Sequence, residues 1–373
     1  MATTLLARDR HVFAIQAAVG WCLGGLGPVL ILGARDLNVP RYQLAWLGSA
    51  FGFTLLGAGL LGRRALSRGP APVVAVGALL LLAGTALLGF GDRLSLLGAG
   101  GLLQGAGCSA FVIATPALVG TDDRSHRLAV AVGASSVAGL IAPGAVALAD
   151  RLFTTGRVAL ILPLLWVIPA ALTTTRRRSP AGTLSAVSVT SSGRMTASTW
   201  WRWLAIVLAV SAEFCFWTWG AARLVDGGAT DSVASGLAAA FAVGMAVGRL
   251  VGPRGLRSPV LVSAVVTSLA GVLVVFGGGV TVLIAGLFLA GLGIAVLYPV
   301  LLDFLLADPS LPEQRLIALA AYASGVAITI TPALLGVLDR IMPIRYGFGL
   351  VPLFMAAMVW TTRLAVTPAA TSH

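Results

Sequence analysis

Thirteen carboxylates are spread over the 373 residues, and only Glu213 falls near the centre of a long apolar run. A charged carboxylate at mid-membrane depth costs about 2.5–3.5 kcal/mol on insertion scales, so such groups face a cavity or a partner. A carboxyl that moves between a wet and a dry environment can change its protonation. That is the chemistry of a proton-coupling residue. The other reading is a protonated structural Glu hydrogen-bonded between helices. Around it the chain reads AVSAEFCFWTWG, with Phe214, Phe216, Trp217 and Trp219 close by. Trp217 lies four residues on and shares the face of Glu213. It either stacks on a solute or meets lipid, the role read for Trp200, Trp201 and Trp203 at a membrane edge.

Other polar groups inside apolar runs are Gln16, Gln104, Ser135, Ser136, Tyr298, Tyr322 and Ser324. Gln16, Gln104, Tyr298, Tyr322 and Ser324 are candidate substrate contacts. The alternative for each is an interhelical hydrogen bond worth about 0.6 kcal/mol. Pro143 and Pro332 are candidate hinges, because proline removes a helical hydrogen bond and kinks the helix; static packing would need the same kinks. Asp303 ends an apolar run, as a gate or an interfacial charge. Cys22, Cys108 and Cys215 lie in apolar runs without metal-type spacing and read as small buried residues.

The elements that must hold these groups are membrane helices. Hydrophobic residues make up 58% of the chain, charged residues 10%, and mean hydropathy is +0.97. Ordinary soluble domains carry about 25% charge, so a soluble enzyme is excluded. All 25 basic residues are Arg. Without Lys there is no GxxxxGK[ST] phosphate loop, which removes an ATP-driven pump. His11, His126 and His373 sit at or beyond helix ends, which leaves an intramembrane serine protease without its base. No catalytic or metal site is read, no resident cofactor beyond a proton gradient, and no nucleic-acid partner, because the Arg cluster between apolar runs.

Twelve windows reach the roughly 20 residues that span a bilayer: 12–34, 44–62, 71–91, 96–119, 128–149, 158–175, 203–225, 233–251, 259–277, 280–302, 316–338 and 346–366. With the N-terminus inside, inner segments carry 17 Arg and outer segments 8. The bias predicts a multi-pass protein of the cytoplasmic membrane with both termini cytoplasmic. The Ser/Thr-rich stretch 176–201 reads as a cytoplasmic tether between six-helix bundles at 1–175 and 202–373. The halves repeat each other. Gly62-Arg63 recurs as Gly248-Arg249 and Gly105-x-Gly107 as Gly291-x-Gly293, both at an offset of 186. Pro143 and Pro332 are 189 apart. Parallel six-helix repeats are an architecture of secondary transporters.

At these residues the chain resembles the major facilitator superfamily over nearly its full length. GAGLLGRRALSRG (57–69) and VGMAVGRLVGPRGLR (243–257) look like that superfamily's basic Gly-Arg loops. The Asp usual in the first copy is absent, with Arg63 or Arg64 about where it would stand. The resemblance implies that Arg63, Arg64 and Arg249 belong to cytoplasmic gate loops. Within the superfamily the fucose-permease-like branch is the nearest resemblance, carried by Glu213-x-x-x-Trp217 and by Gly291, Gly293 and Pro299. The drug-antiporter signature is poorer: Gly101 stands where its Arg is expected before Gln104.

The resemblance implies an all-α major facilitator fold with helices 1, 4, 7 and 10 lining a central cavity, which gives Gln16, Gln104 and Tyr298 helices of the right rank. It implies proton-coupled uptake of a sugar or similar small solute by a monomer in the lipid bilayer. Composition pulls against a sugar, since the chain has one Asn and four Gln. Export of an amphipathic drug or metabolite is the runner-up, and a multi-pass membrane enzyme a remote third.

Overall fold

A computed structural model describes residues 2–67, 69–119, 124–176, 195–252 and 258–366. Among them are twelve helical stretches long and apolar enough to cross a bilayer. In chain order these are α1 (Asp9–Asp36), α2 (Arg41–Leu61), α3 (Pro70–Phe90), α4 (Leu94–Val119), α5 (Val130–Leu152) and α6 (Gly156–Thr175). They continue as α7 (Ala197–Asp226), α8 (Asp231–Val251), α9 (Pro259–Phe276), α10 (Val280–Leu306), α11 (Arg315–Ile341) and α12 (Ile344–Val366). An all-helical answer follows from the solvent: in lipid every backbone amide and carbonyl must be satisfied within the protein. The end where α1 starts is called the near end below, and the end where it stops the far end.

The packing repeats. In the first half α1 packs on α5 and α6, and α4 on α2 and α3. In the second, α7 packs on α11 and α12, and α10 on α8 and α9. The two halves meet through α2 with α11, α5 with α8, and α1 with α7. The repeat reaches single atoms. A Cβ on Gly107 would lie 2.7 Å from the Gly77 oxygen and 2.8 Å from the Leu81 nitrogen. On Gly293 it would lie 3.1 Å from the Ser263 oxygen and 2.9 Å from the Thr267 nitrogen. Without a hydrophobic drive between helices in lipid, such close backbone approach is what holds them together.

Substitution should therefore be tolerated very unevenly. A Cβ on Gly20 would stand 1.8 Å from the Ser135 carbonyl oxygen, whereas Gly57 has nothing within 4 Å. Gly20→Ala is expected to cost at least the 1–3 kcal/mol or so of an overpacked core, and Gly57→Ala close to none. Melting of the two purified variants in detergent checks this.

Every expected window is occupied by a helix, most with edges within three residues. The exceptions are α10, which ends at Leu306, four residues past its window, and α7, which begins at Ala197, six residues before its window. The last five residues of the 176–201 stretch are thus helical, while 177–194 lie outside the described residues. A capping box starts the helix: the Thr196 hydroxyl accepts from the Thr199 amide at 3.1 Å, and the Thr199 hydroxyl accepts from the Thr196 amide at 3.3 Å. Trp200 and Trp203 stack at 4.8 Å over this first turn.

Asp308 ties the turn to the α10–α11 loop. It accepts from the Thr199 hydroxyl at 2.8 Å and the Ser310 amide at 2.9 Å. Burial pushes the Asp308 carboxyl up, but the bonds from Ser310 and Thr199 and the Arg202 charge outweigh it and hold the group below the ordinary carboxylate range. A depressed folded-state value stabilises above the unfolded value, and that stability is lost as pH falls through the folded one. Asp308→Asn should lower the melting temperature at pH 7, and the deficit should close below about pH 4.

Five spans are interrupted in a way hydropathy does not show: α2 at Ala45, α6 at 162–163, α12 at 348–349, and α8 and α10. α8 is divided at Ala238 into Asp231–Leu237 and Ala239–Val251. α10 is divided into Val280–Ile294 and Leu297–Leu306. In α10 the cause is local: Pro299 has no N–H to give the Ala295 carbonyl.

Candidate transport site

α7 is, after α1, the most enclosed span of the molecule. From Ala209 to Leu224 every residue is buried except Glu213 and Trp217. Their four-residue spacing puts both on one face, and the Trp217 indole N–H donates to Glu213 Oε1 at 3.1 Å. Trp217 meets Phe241 of α8 edge-on at 5.1 Å. Its ring is also within 3.7 Å of where a Gly139 Cβ would stand on α5, and its carbonyl within 2.9 Å of a Cβ on Gly27 of α1. Trp217 therefore closes the far side of a cleft where α1, α5, α7 and α8 converge.

Toward the near end the cleft acquires polar walls. Tyr298 of α10 lies near Ser324 of α11 and within the electrostatic reach of Glu213. Arg249, in the last turn of α8, is the charged group that Glu213 feels most. Its guanidinium donates to the Ser136 hydroxyl on α5, across the boundary between the halves. The resemblance put Arg249 in a gate loop; it lies within the helix, with its side chain crossing the cleft.

The remaining candidates are distributed otherwise. Gln16 is buried and donates to the Thr115 hydroxyl at 2.7 Å, joining α1 to α4. Gln104 is buried against α3, its backbone within 2.3 Å of a Cβ on Gly84, and its amide nitrogen has no hydrogen-bond partner among the described residues. Tyr322 lies beside Gly59 at the α2–α11 boundary. Arg64 is exposed at the near end, Asp303 is exposed, and the Arg63 side chain lies outside the described residues. Cys22, Cys108 and Cys215 are free and buried.

Pro332 and the turn that follows Pro143 lie at contacts between the halves toward the far end. Pro332 packs against Gly48 of α2, where a Cβ would stand 2.9 Å from its ring. The next amide, Ala333, donates to the Ser49 hydroxyl at 3.1 Å, so the other half supports the kink. Four residues after Pro143, the Ala147 carbonyl accepts from Ser232 of α8 at 3.1 Å. Beyond these, Arg41 bridges both halves. It donates to Asp339 at 2.8 Å and to Asp226 at 2.7 Å and 2.9 Å. Contact between α2 and α11 runs from Arg41–Asp339 to Gly59–Tyr322. Past it, Leu60, Leu61 and Ile317 are exposed. The α2–α11 seam thus closes at the far end and gives out before the near end. Counting Arg by loop treated Arg41 only as a topology charge, since nothing in its own segment announces Asp226 or Asp339.

No family model matches the sequence, and no curated protein matches it. Solved structures do. A peptide transporter described in complex with sulfate superimposes with a TM-score of 0.71 at 13% identity, covering 95% of this chain and 93% of that one. The fold is that of the major facilitator transporters. A second peptide-transporter-family structure, described in complex with 5-aminolevulinic acid, gives a TM-score of 0.75 at 10% identity, over 96% of each chain. The E. coli fucose:proton symporter gives 0.59 at 18% identity, over 95% of this chain and 98% of that one. In that fold the α7 cleft lies where the two six-helix repeats meet.

Proposed function

We propose that this chain is a proton-coupled secondary transporter that carries a small organic solute across the cytoplasmic membrane by alternating access. One observation carries the reading. Along Ala209–Leu224 of the central helix, only the pair Glu213–Trp217 is not fully buried, at the junction of the two halves. The carboxylate would take and release the coupling proton, and Trp217 would pack on the solute. Tyr298, Tyr322 and Ser324 would border the solute's path, with Gln16 and Gln104 on the helices behind. Pro143 and Pro332 would be the bending points. The repeats divide the chain into two bundles joined by the 176–201 stretch, with the near end and both termini cytoplasmic. Each six-plus-six bundle encloses its own path, so a monomer suffices.

The two classes of experiment separate cleanly. Counterflow in proteoliposomes distinguishes a carrier from a channel, because only a carrier is trans-stimulated; flux without trans-stimulation overturns the proposal. Deleting and overexpressing the gene gives the direction. Loss of growth on one carbon source marks uptake, and resistance gained on overexpression marks export. The aromatic wall of Trp217 and Phe241 keeps export of an amphipathic solute as the second reading.

A further inference from the structure

Arg249 is exposed toward the near end; when the halves close over it, its guanidinium needs a counter-charge, and the cleft supplies only one. Among the described residues, Arg249 lies within ion-pair distance of no carboxylate. Its guanidinium donates to an uncharged hydroxyl, that of Ser136. The remaining donors of its planar fork are matched in geometry to a carboxylate. Glu213 is its electrostatic neighbour, and the other titratable group facing Glu213 is the neutral phenol of Tyr298.

We propose that the solute is a monovalent organic anion whose carboxylate binds the Arg249 guanidinium while Glu213 holds a proton. This deepens the reading of Glu213 as the coupling group and rests on it. Two states of the cleft are neutral: empty with Glu213 ionised against Arg249, and loaded with Glu213 protonated and the solute against Arg249. An empty cleft with Glu213 protonated carries one positive charge, and a loaded cleft with Glu213 ionised carries one negative charge. Burying an uncompensated charge in a closing, dry bundle is expensive. Only the neutral states can then close and reopen on the other side. One proton crosses with one anion, and no net charge moves.

The test uses two size-matched trios as probes: benzoate, benzamide and benzylammonium, and hexanoate, hexanamide and hexylammonium. Protection of the purified full chain from thermal unfolding is measured from pH 5.5 to 8. The anions are expected to raise the melting temperature by several degrees at low pH and less as pH rises, and the amides and ammonium ions not to. Arg249→Gln should lose the protection. Arg249→Lys, which keeps the charge but not the fork, should weaken it, and Glu213→Gln should keep it at all pH values. Protection by the amides or ammonium ions in place of the anions overturns the proposal. So does no protection by either anion, or equal protection of Arg249→Gln. If pH-driven flux of a neutral solute is found and Glu213→Gln abolishes it, the coupling reading stands and the anion proposal falls.

Discussion

Glu213→Gln is expected to abolish pH-driven accumulation in proteoliposomes while leaving counterflow in place. Glutamine keeps the shape and can still accept from the Trp217 indole, so the 3.1 Å contact survives. What it loses is the capacity to be charged. The cost of an ionised carboxylate at mid-span is about 2.5–3.5 kcal/mol, a factor on the order of 10² between states at 1.4 kcal/mol per tenfold. That is the free energy by which a proton gradient can bias the empty and loaded forms, and the variant should forfeit gradient-driven flux by a comparable factor. Exchange driven by solute alone needs no change of protonation and should persist. Unchanged pH-driven flux would show that Glu213 is a structural, permanently neutral residue. A collapse of counterflow as well would place it in solute binding or folding.

The second large effect concerns the far-end latch. Removing the Arg41 side chain leaves Asp226 and Asp339 facing each other with no cation between them, and Asp339 is nearly enclosed. The pairs are partly exposed, so water recovers some of the loss. A shift of about 1–3 kcal/mol, or 5- to 150-fold in the ratio of far-end-closed to far-end-open forms, is the expected scale. Ser49 reports it. The residue is buried in the closed far end, where its hydroxyl accepts from Ala333. In a Ser49→Cys background, Arg41→Ala should speed labelling by an impermeant thiol reagent added from the far side. The native cysteines are all buried and contribute little background. An unchanged rate would mean that Gly48–Pro332 and Ala147–Ser232 hold the far end without help from the ion pairs.

Much of the architecture could be read before any coordinates. The bilayer sets the length of every span, so hydropathy found all twelve, and Gly105, Gly107, Gly291 and Gly293 announced the repeat because small residues are needed wherever two backbones touch. The site was less legible, for physical reasons. Hydropathy is blind to breaks such as those at Ala238 and before Pro299, because an apolar residue counts alike in either conformation. A helix's rank in the fold does not fix its rotation. Gln104 sits on α4 as expected, yet its backbone packs against Gly84 of α3. Nor does spacing say where a long side chain reaches: Arg249 belongs to a motif associated with loops, but spans the cleft to Ser136. Glu213 was the exception because the signal was depth itself. A lone carboxylate in the middle of an apolar run has few tolerable surroundings, and one of them is a cleft.

The central claim is that two halves rock about this cleft under the control of one proton. Distances between spin labels measure it most directly. One pair would report the far end, across the Arg41–Asp226 boundary, and one the near end, between α2 and α11 beyond Tyr322. Across pH 5.5 to 8 in nanodiscs, the account predicts two populations at each end that trade in opposite senses, the far end widening as the near end narrows. It also predicts that Glu213→Gln removes the pH dependence. A single distribution at every pH, or two ends that widen together, would contradict it.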